Sequence, residues 1–140
     1  MPNKVFTCEI QVRWGDSDRL GHVNNTLFLE YAQEARVKFF RERVFPAGVR
    51  PSAMVVRKVE IEFLKPITDE SGPVTVEVSV LAVGNSSFGV RHLFRDVHGA
   101  TCGVADAVMV RFDVKTETSV PLTELERSVL SEYAITETVR

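Results

Sequence analysis

Between Arg13 and Asn25 the chain reads RWGDSDRLGHVNN, which gathers Asp16, Asp18, His22, Asn24 and Asn25 in one short stretch. Carboxylates activate water or attack carbonyl carbons, and a histidine with an ordinary pKa near ~6.5 moves protons at neutral pH. The stretch ends where helical periodicity begins, and a helix N-terminus offers free N–H donors and partial positive charge. A carboxylate just ahead of such an end suits a reaction that passes through an oxyanion. Each residue also has a plainer reading. Asp18 and Asp16 serve equally as turn residues, His22 as a packing or hydrogen-bonding group, and Asn24 and Asn25 as helix caps.

The elements that must hold this stretch are written in the periodicity. Phe6, Cys8, Ile10, Val12 and Trp14 alternate with polar residues, the pattern of a strand with one wet face. From Asn24 or Asn25 the period becomes helical, with Phe28, Ala32, Ala35 and Phe39 on one stripe, widened by Leu27 and Tyr31. Pro46 and Gly48 are expected to end that helix. Four more strands follow, at 55–63, 74–83, 87–95 and 101–112. In the first, Val55, Val59, Ile61 and Phe63 are expected to share a face with Arg57, opposite Val56, Lys58, Glu60 and Glu62. The short links at Gly84-Asn85 and His98-Gly99 suit hairpins, so the later strands are expected to be antiparallel. Residues 119–131 suggest a short helix with Leu122, Leu125 and Val129 on its apolar side. One long helix against a five-stranded antiparallel sheet is an α+β two-layer domain. The sheet's second face and its edges then favour a dimer.

Composition excludes several classes. With 17 basic and 19 acidic residues and a net charge of −2, no basic stripe exists to hold nucleic acid. No apolar run approaches the ~20 residues of a membrane-spanning helix, and no signal-type apolar core precedes the first strand. A cytoplasmic protein with no membrane association is expected. The two cysteines, Cys8 and Cys102, read as small buried hydrophobes, and the three histidines lack metal-ligand spacing, so no metal or other cofactor is inferred.

The segment Asp16 to Asn25, DSDRLGHVNN, resembles the 4-hydroxybenzoyl-CoA thioesterase family of hotdog-fold hydrolases, and its G-H-V-N-N ending is most similar to the bacterial acyl-CoA thioesterase branch. Glu34-Ala35-Arg36 and the run VEIEFLKPI, Val59 to Ile67, are similar to that family too, so the resemblance covers about residues 5–113. It implies a single hotdog domain over 1–140, with a core at about 5–113 and a C-terminal extension at 114–140. It further implies hydrolysis of an acyl-CoA by a homodimer or homotetramer whose site lies at a subunit interface. By position, the resemblance puts the catalytic aspartate on Asp18, with Asp16 as the other acid of the pair. The carbonyl-polarising backbone N–H falls on Asn25. Where the 4-hydroxybenzoyl enzymes carry aromatics this chain has Asn24 and Asn25, which counts against an aromatic acyl group. Glu34, on the helix, is the alternative base. For substrate binding the candidates are Asn24 and the cations Arg57, Lys58, Lys65 and Arg91, any of which could meet coenzyme A phosphates. Two rival functions stay open: a hotdog enoyl-thioester hydratase using His22 with an acid, and a non-catalytic acyl-CoA binding module.

Overall fold

The computed structural model describes residues 3–68, 70 and 72–135. Strand β1, Phe6–Ile10, buries Phe6 and Ile10 as its alternation requires. It stops before the pattern does. Trp14 belongs to a 3-10 turn, Trp14–Asp16, and is 85% exposed instead of lying on the core face. The cause is local: the backbone N–H of Arg13 donates to Asp16 Oδ2 at 3.1 Å, and its Nε donates to the same carboxylate at 3.2 Å. This clasp turns the Asp16 carboxylate inward and leaves the indole outside.

Helix α1, Asn25–Phe39, is capped by Asn24, whose Oδ1 accepts the Thr26 N–H at 2.9 Å. It buries Phe28, Tyr31, Ala32, Ala35 and Phe39, the stripe expected from the sequence. One π-helical turn (Phe40–Val44) and one 3-10 turn (Phe45–Ala47) prolong it to Gly48. There φ is +105°, a backbone state that glycine adopts without strain.

Strands β2 (Met54–Phe63), β3 (Val74–Val83), β4 (Ser87–Arg95) and β5 (Thr101–Asp113) pair antiparallel with β1 in the order β1-β3-β4-β5-β2. A two-residue strand β6, Thr118–Ser119, adds to the end of β5. The sheet curls around α1, the hotdog arrangement. Val74, Val76, Val78 and Val80 from β3 and Phe88, Val90 and Phe94 from β4 form the layer beneath the helix. Each such large buried side chain contributes about 1.5–3 kcal/mol.

Strand β2 departs from the expected alternation. A β-bulge sits between Val56 and Lys58, so Arg57 is an extra residue opposed by none on β5. Val56 pairs with Met109, Val59 with Ala107 and Ile61 with Ala105, the residues of β5 that belong to the core. Val56 therefore joins Val59, Ile61 and Phe63 on the helix side. Val55 joins Lys58, Glu60 and Glu62 on the other, and Arg57 interrupts no face at all.

Helix α2, Glu124–Ser131, is started by Thr123, with Glu126 completing a capping box. Leu122, Val129 and Leu130 are buried and Leu125 is exposed, so the inward stripe is one residue off the expected one. Tyr133 follows and stacks edge-on against Phe39 at 4.9 Å. As an edge strand, β2 is only partly covered by α1: Val56, Val59 and Phe63 remain exposed, as do Leu29 and Val37 on the helix. An apolar trough thus runs between α1 and β2.

Candidate active site

Asp16 and Asp18 stand two residues apart and have opposite surroundings. Asp16 is buried; its Oδ2 accepts the Tyr31 hydroxyl at 2.6 Å and the Arg13 N–H at 3.1 Å. Burial alone would raise its pKa, but the bonds from Tyr31 and Arg13 outweigh it, so the carboxyl titrates below its usual range. Tyr31 is pushed up in turn, by burial and by its bond to Asp16. Asp16 is thus a fixed carboxylate with every role taken.

Asp18 is exposed and only half engaged. Its Oδ1 accepts the N–H groups of Leu20 at 2.9 Å and His22 at 3.3 Å, the self-bonded turn that aspartate favours. The Asp18 N–H donates to the His22 carbonyl at 2.7 Å, closing the loop. Among the described residues nothing bonds to Asp18 Oδ2. The loop is pinned to the fold at its far end by two backbone bonds, Val23 N–H to Ile67 O at 2.6 Å and Asn24 N–H to Asp16 O at 3.1 Å.

These bonds deliver the next residue, Asn25, to the first position of α1. Its N–H is one of the donors that a helix leaves without an internal partner, and none of the described residues accepts it. Asn24 spends its Oδ1 on the Thr26 N–H and hydroxyl, at 2.9 and 2.8 Å, which leaves its amide NH₂ available.

Asp18, His22, Asn24, Asn25 and Lys65 line one cleft of about 440 Å³, with Phe28, Phe63 and Leu64 as its apolar wall. Phe63 meets Phe28 edge-on at 5.1 Å. Lys65 is held in place by Asp96, its Nζ lying 2.9 Å from Asp96 Oδ2. Asp96 is buried and also accepts the N–H groups of His98 at 2.9 Å and Ala100 at 3.0 Å. The bond to Lys65 and these two together hold its carboxyl below the usual range. Nothing in the sequence pairs Lys65 with Asp96, although an aspartate three residues before Gly99 is a turn signal.

The other candidates lie elsewhere. Lys58 pairs with Glu60 at 2.8 Å, and Arg91 makes two 2.9 Å bonds to Asp106, all on the sheet face away from α1. Arg57 occupies the bulge, and Glu34 is exposed on α1 without lining the cleft. Cys8 is half-buried, and burial pushes its thiol up to about 11, which removes it as a nucleophile at neutral pH. Among the described residues no group of three or more His, Cys, Asp or Glu is placed to hold a metal ion, and no helix is long and apolar enough to cross a membrane.

The chain is similar to a curated bacterial protein and to solved thioesterases. An uncharacterized Bacillus subtilis (strain 168) protein, YsmA, is 25% identical over 125 residues, covering 89% of this chain and 84% of its own. A Thermus thermophilus thioesterase, solved in complex with coenzyme A and zinc, is 30% identical with a TM-score of 0.76, covering 92% of this chain and 98% of its own. The 1,4-dihydroxy-2-naphthoyl-CoA thioesterase from Synechocystis shares the fold at 18% identity and a TM-score of 0.75, covering 91% of this chain and 96% of its own. The model of the thioesterase-like superfamily matches residues 12–130, from the turn before Asp16 to the end of α2, and to that family the chain belongs.

Proposed function

We propose that this thioester hydrolase acts on acyl-CoA, with Asp18 as base or nucleophile and the Asn25 N–H as the oxyanion donor. One observation carries the reading. Asp18, whose Oδ2 has no partner among the described residues, and Asn25, whose N–H has none, line the same cleft. The nearby Asp16 is wholly committed to holding the loop.

The substrate carbonyl oxygen accepts the Asn25 N–H and sits at the positive end of α1. Charge that develops on it as the carbonyl carbon becomes tetrahedral is stabilised there. Asp18 either takes a proton from the attacking water or attacks the carbon itself, forming an anhydride that water then opens. When water attacks, the tetrahedral centre collapses with cleavage of the C–S bond to free acid and coenzyme A; when Asp18 attacks, that cleavage releases coenzyme A and leaves the anhydride, which water opens to free acid and Asp18. His22, which lines the cleft, carries the proton between Asp18 and the leaving thiolate. Asn24 donates its NH₂ to the bound thioester or pantetheine arm, and Lys65, fixed by Asp96, meets a coenzyme phosphate. The co-crystallised coenzyme A of the Thermus relative supports this choice of carrier. A second copy of the chain covers the trough between α1 and β2, making a homodimer, or a homotetramer of paired dimers, in which exposed Leu29, Val37, Val56 and Val59 are buried.

Thiol release from a panel of acyl-CoAs tests the reading. Asp18→Asn should lose about 10²-fold or more in kcat, with its unfolding transition unchanged. Wild-type turnover in that variant would remove Asp18 from the reaction. Water addition to an enoyl-CoA without thiol release would favour the hydratase.

A further inference from the structure

The Glu34-Ala35-Arg36 run contributes an arginine that the hydrolytic step does not use. Arg36 lines two cavities of the trough, of about 350 and 190 Å³. Their other walls include Leu29, Ala32, Val37, Val56 and Val59. The guanidinium is half-buried, and its one hydrogen bond among the described residues is to a neutral acceptor: Nη1 lies 3.3 Å from Nε2 of His92. His92 is fully buried, and its Nδ1–H donates to the Ala105 carbonyl at 2.9 Å, which leaves Nε2 bare. Burial pushes His92 down to about 4 and lowers Arg36 as well, so at neutral pH the ring is a neutral brace beneath a cation.

Three other partly buried arginines are paired with carboxylates, Arg91 with Asp106, Arg95 with Glu77 and Arg111 with Glu126, at 2.9, 2.9 and 3.7 Å, and a fourth, Arg127, donates to the carbonyls of Gly84 and Asn85. Among the described residues Arg36 has no carboxylate. A cation withdrawn from water into an apolar trough, with one of five donors used, is a site awaiting an anion.

Position says where that anion comes from. Asn25, Leu29, Ala32 and Arg36 fall at i, i+4, i+7 and i+11, one face of one helix. The N–H that polarises the carbonyl stands at its start, apolar residues fill its middle, and the guanidinium stands at its end. Eleven residues span about 16 Å, and a helical side chain leans back toward the N-terminus, which leaves roughly 10 Å between the two groups. The sheet opposite is continuous over the same span, from Phe63, which walls the cleft, to Val59 in the trough.

Building on the acyl-CoA reading, we infer that Arg36, braced by His92, reads a carboxylate at the far end of the acyl group. The enzyme then prefers ω-carboxyacyl thioesters of about six to eight carbons to methyl-ended ones of equal length.

The test compares kcat/KM for adipyl- against hexanoyl-CoA and suberyl- against octanoyl-CoA, in wild type, Arg36→Met, Arg36→Gln and Arg36→Lys. The carboxyl-to-methyl ratio should be tenfold or more in wild type. It should fall at least tenfold in the Met and Gln variants and survive in part with Lys. A wild-type ratio of one or below overturns the inference without recourse to any variant. So does a loss in the neutral variants that is equal for both ends, which would mark Arg36 as structural. Should wild type hydrolyse none of the four and no other acyl-CoA of the panel, the acyl-CoA reading falls. Calorimetric binding of the same four acyl-CoAs then decides the Arg36 inference by the same ratio.

Discussion

Tyr31 Oη lies 2.6 Å from Asp16 Oδ2, so a single bond joins the loop that carries Asp18 to the second turn of the helix that presents the Asn25 N–H. Loop and helix end are the two halves of the proposed site, and their separation is set here. Replacing Tyr31 with Phe leaves the buried Asp16 carboxylate on the Arg13 clasp alone. Urea unfolding should show a loss of about 1–3 kcal/mol with an unchanged slope, and kcat should fall several-fold through loss of alignment. Unaltered kcat would separate the loop's position from catalysis.

Lys65 lines the cleft with its Nζ held by Asp96. Lys65→Ala should raise KM for acyl-CoA by about threefold to fivefold while kcat is kept. An acyl-pantetheine thioester, which lacks the nucleotide phosphates, should show no such change. Steady-state kinetics on the two substrates checks the difference.

His92 makes stability depend on pH. Its folded pKa, about 4 because burial disfavours the charged ring, lies below the ordinary value of 6.5, so the unfolded chain takes up the proton first. The sign follows: stability is complete above ~6.5 and is lost as pH falls toward 4, by about 3 kcal/mol. His92→Gln should flatten most of that slope in urea midpoints measured between pH 7 and pH 4. Asp16, depressed below the carboxylate range, adds its own loss only at lower pH.

Gly103 is tightly packed between β2 and α1. A Cβ there would lie 3.0 Å from the Glu62 carbonyl oxygen and 3.1 Å from Cε2 of Phe28. The first contact is with backbone, which gives way less readily than a side chain. Gly103→Ala should cost about 1–3 kcal/mol and lower Tm by several degrees in a thermal scan. Because Phe28 and Phe63 wall the cleft, KM should rise as well.

How much of this could be read from residues alone depended on whether a pattern ran unbroken. Helix α1 is legible because Phe28, Ala32, Ala35 and Phe39 repeat at helical spacing under a capping asparagine, and β3 because four valines alternate without interruption. Strand β2 is not, since the bulge at Arg57 shifts the phase while the string of letters still alternates. Trp14 continues a period-2 run that the Arg13–Asp16 clasp has already ended. Within the site, Asp18, His22, Asn24 and Asn25 are close because they are adjacent in sequence. Lys65 is legible as a candidate cation, but its partner Asp96 lies 31 residues on, beyond β3 and β4, and the meeting of Arg36 with His92 needs the whole sheet to be folded.

The strand order also fixes a chronology. Strand β1 and the loop after it leave the ribosome before β3, yet among the described residues β1 pairs only with β3, and Val23 is tied down by Ile67. The residues proposed for chemistry are therefore synthesised early and positioned late. Through the middle of translation the N-terminal segment is a nascent chain with an unpaired strand and an amphipathic helix, the interval in which chaperones protect such segments from aggregation.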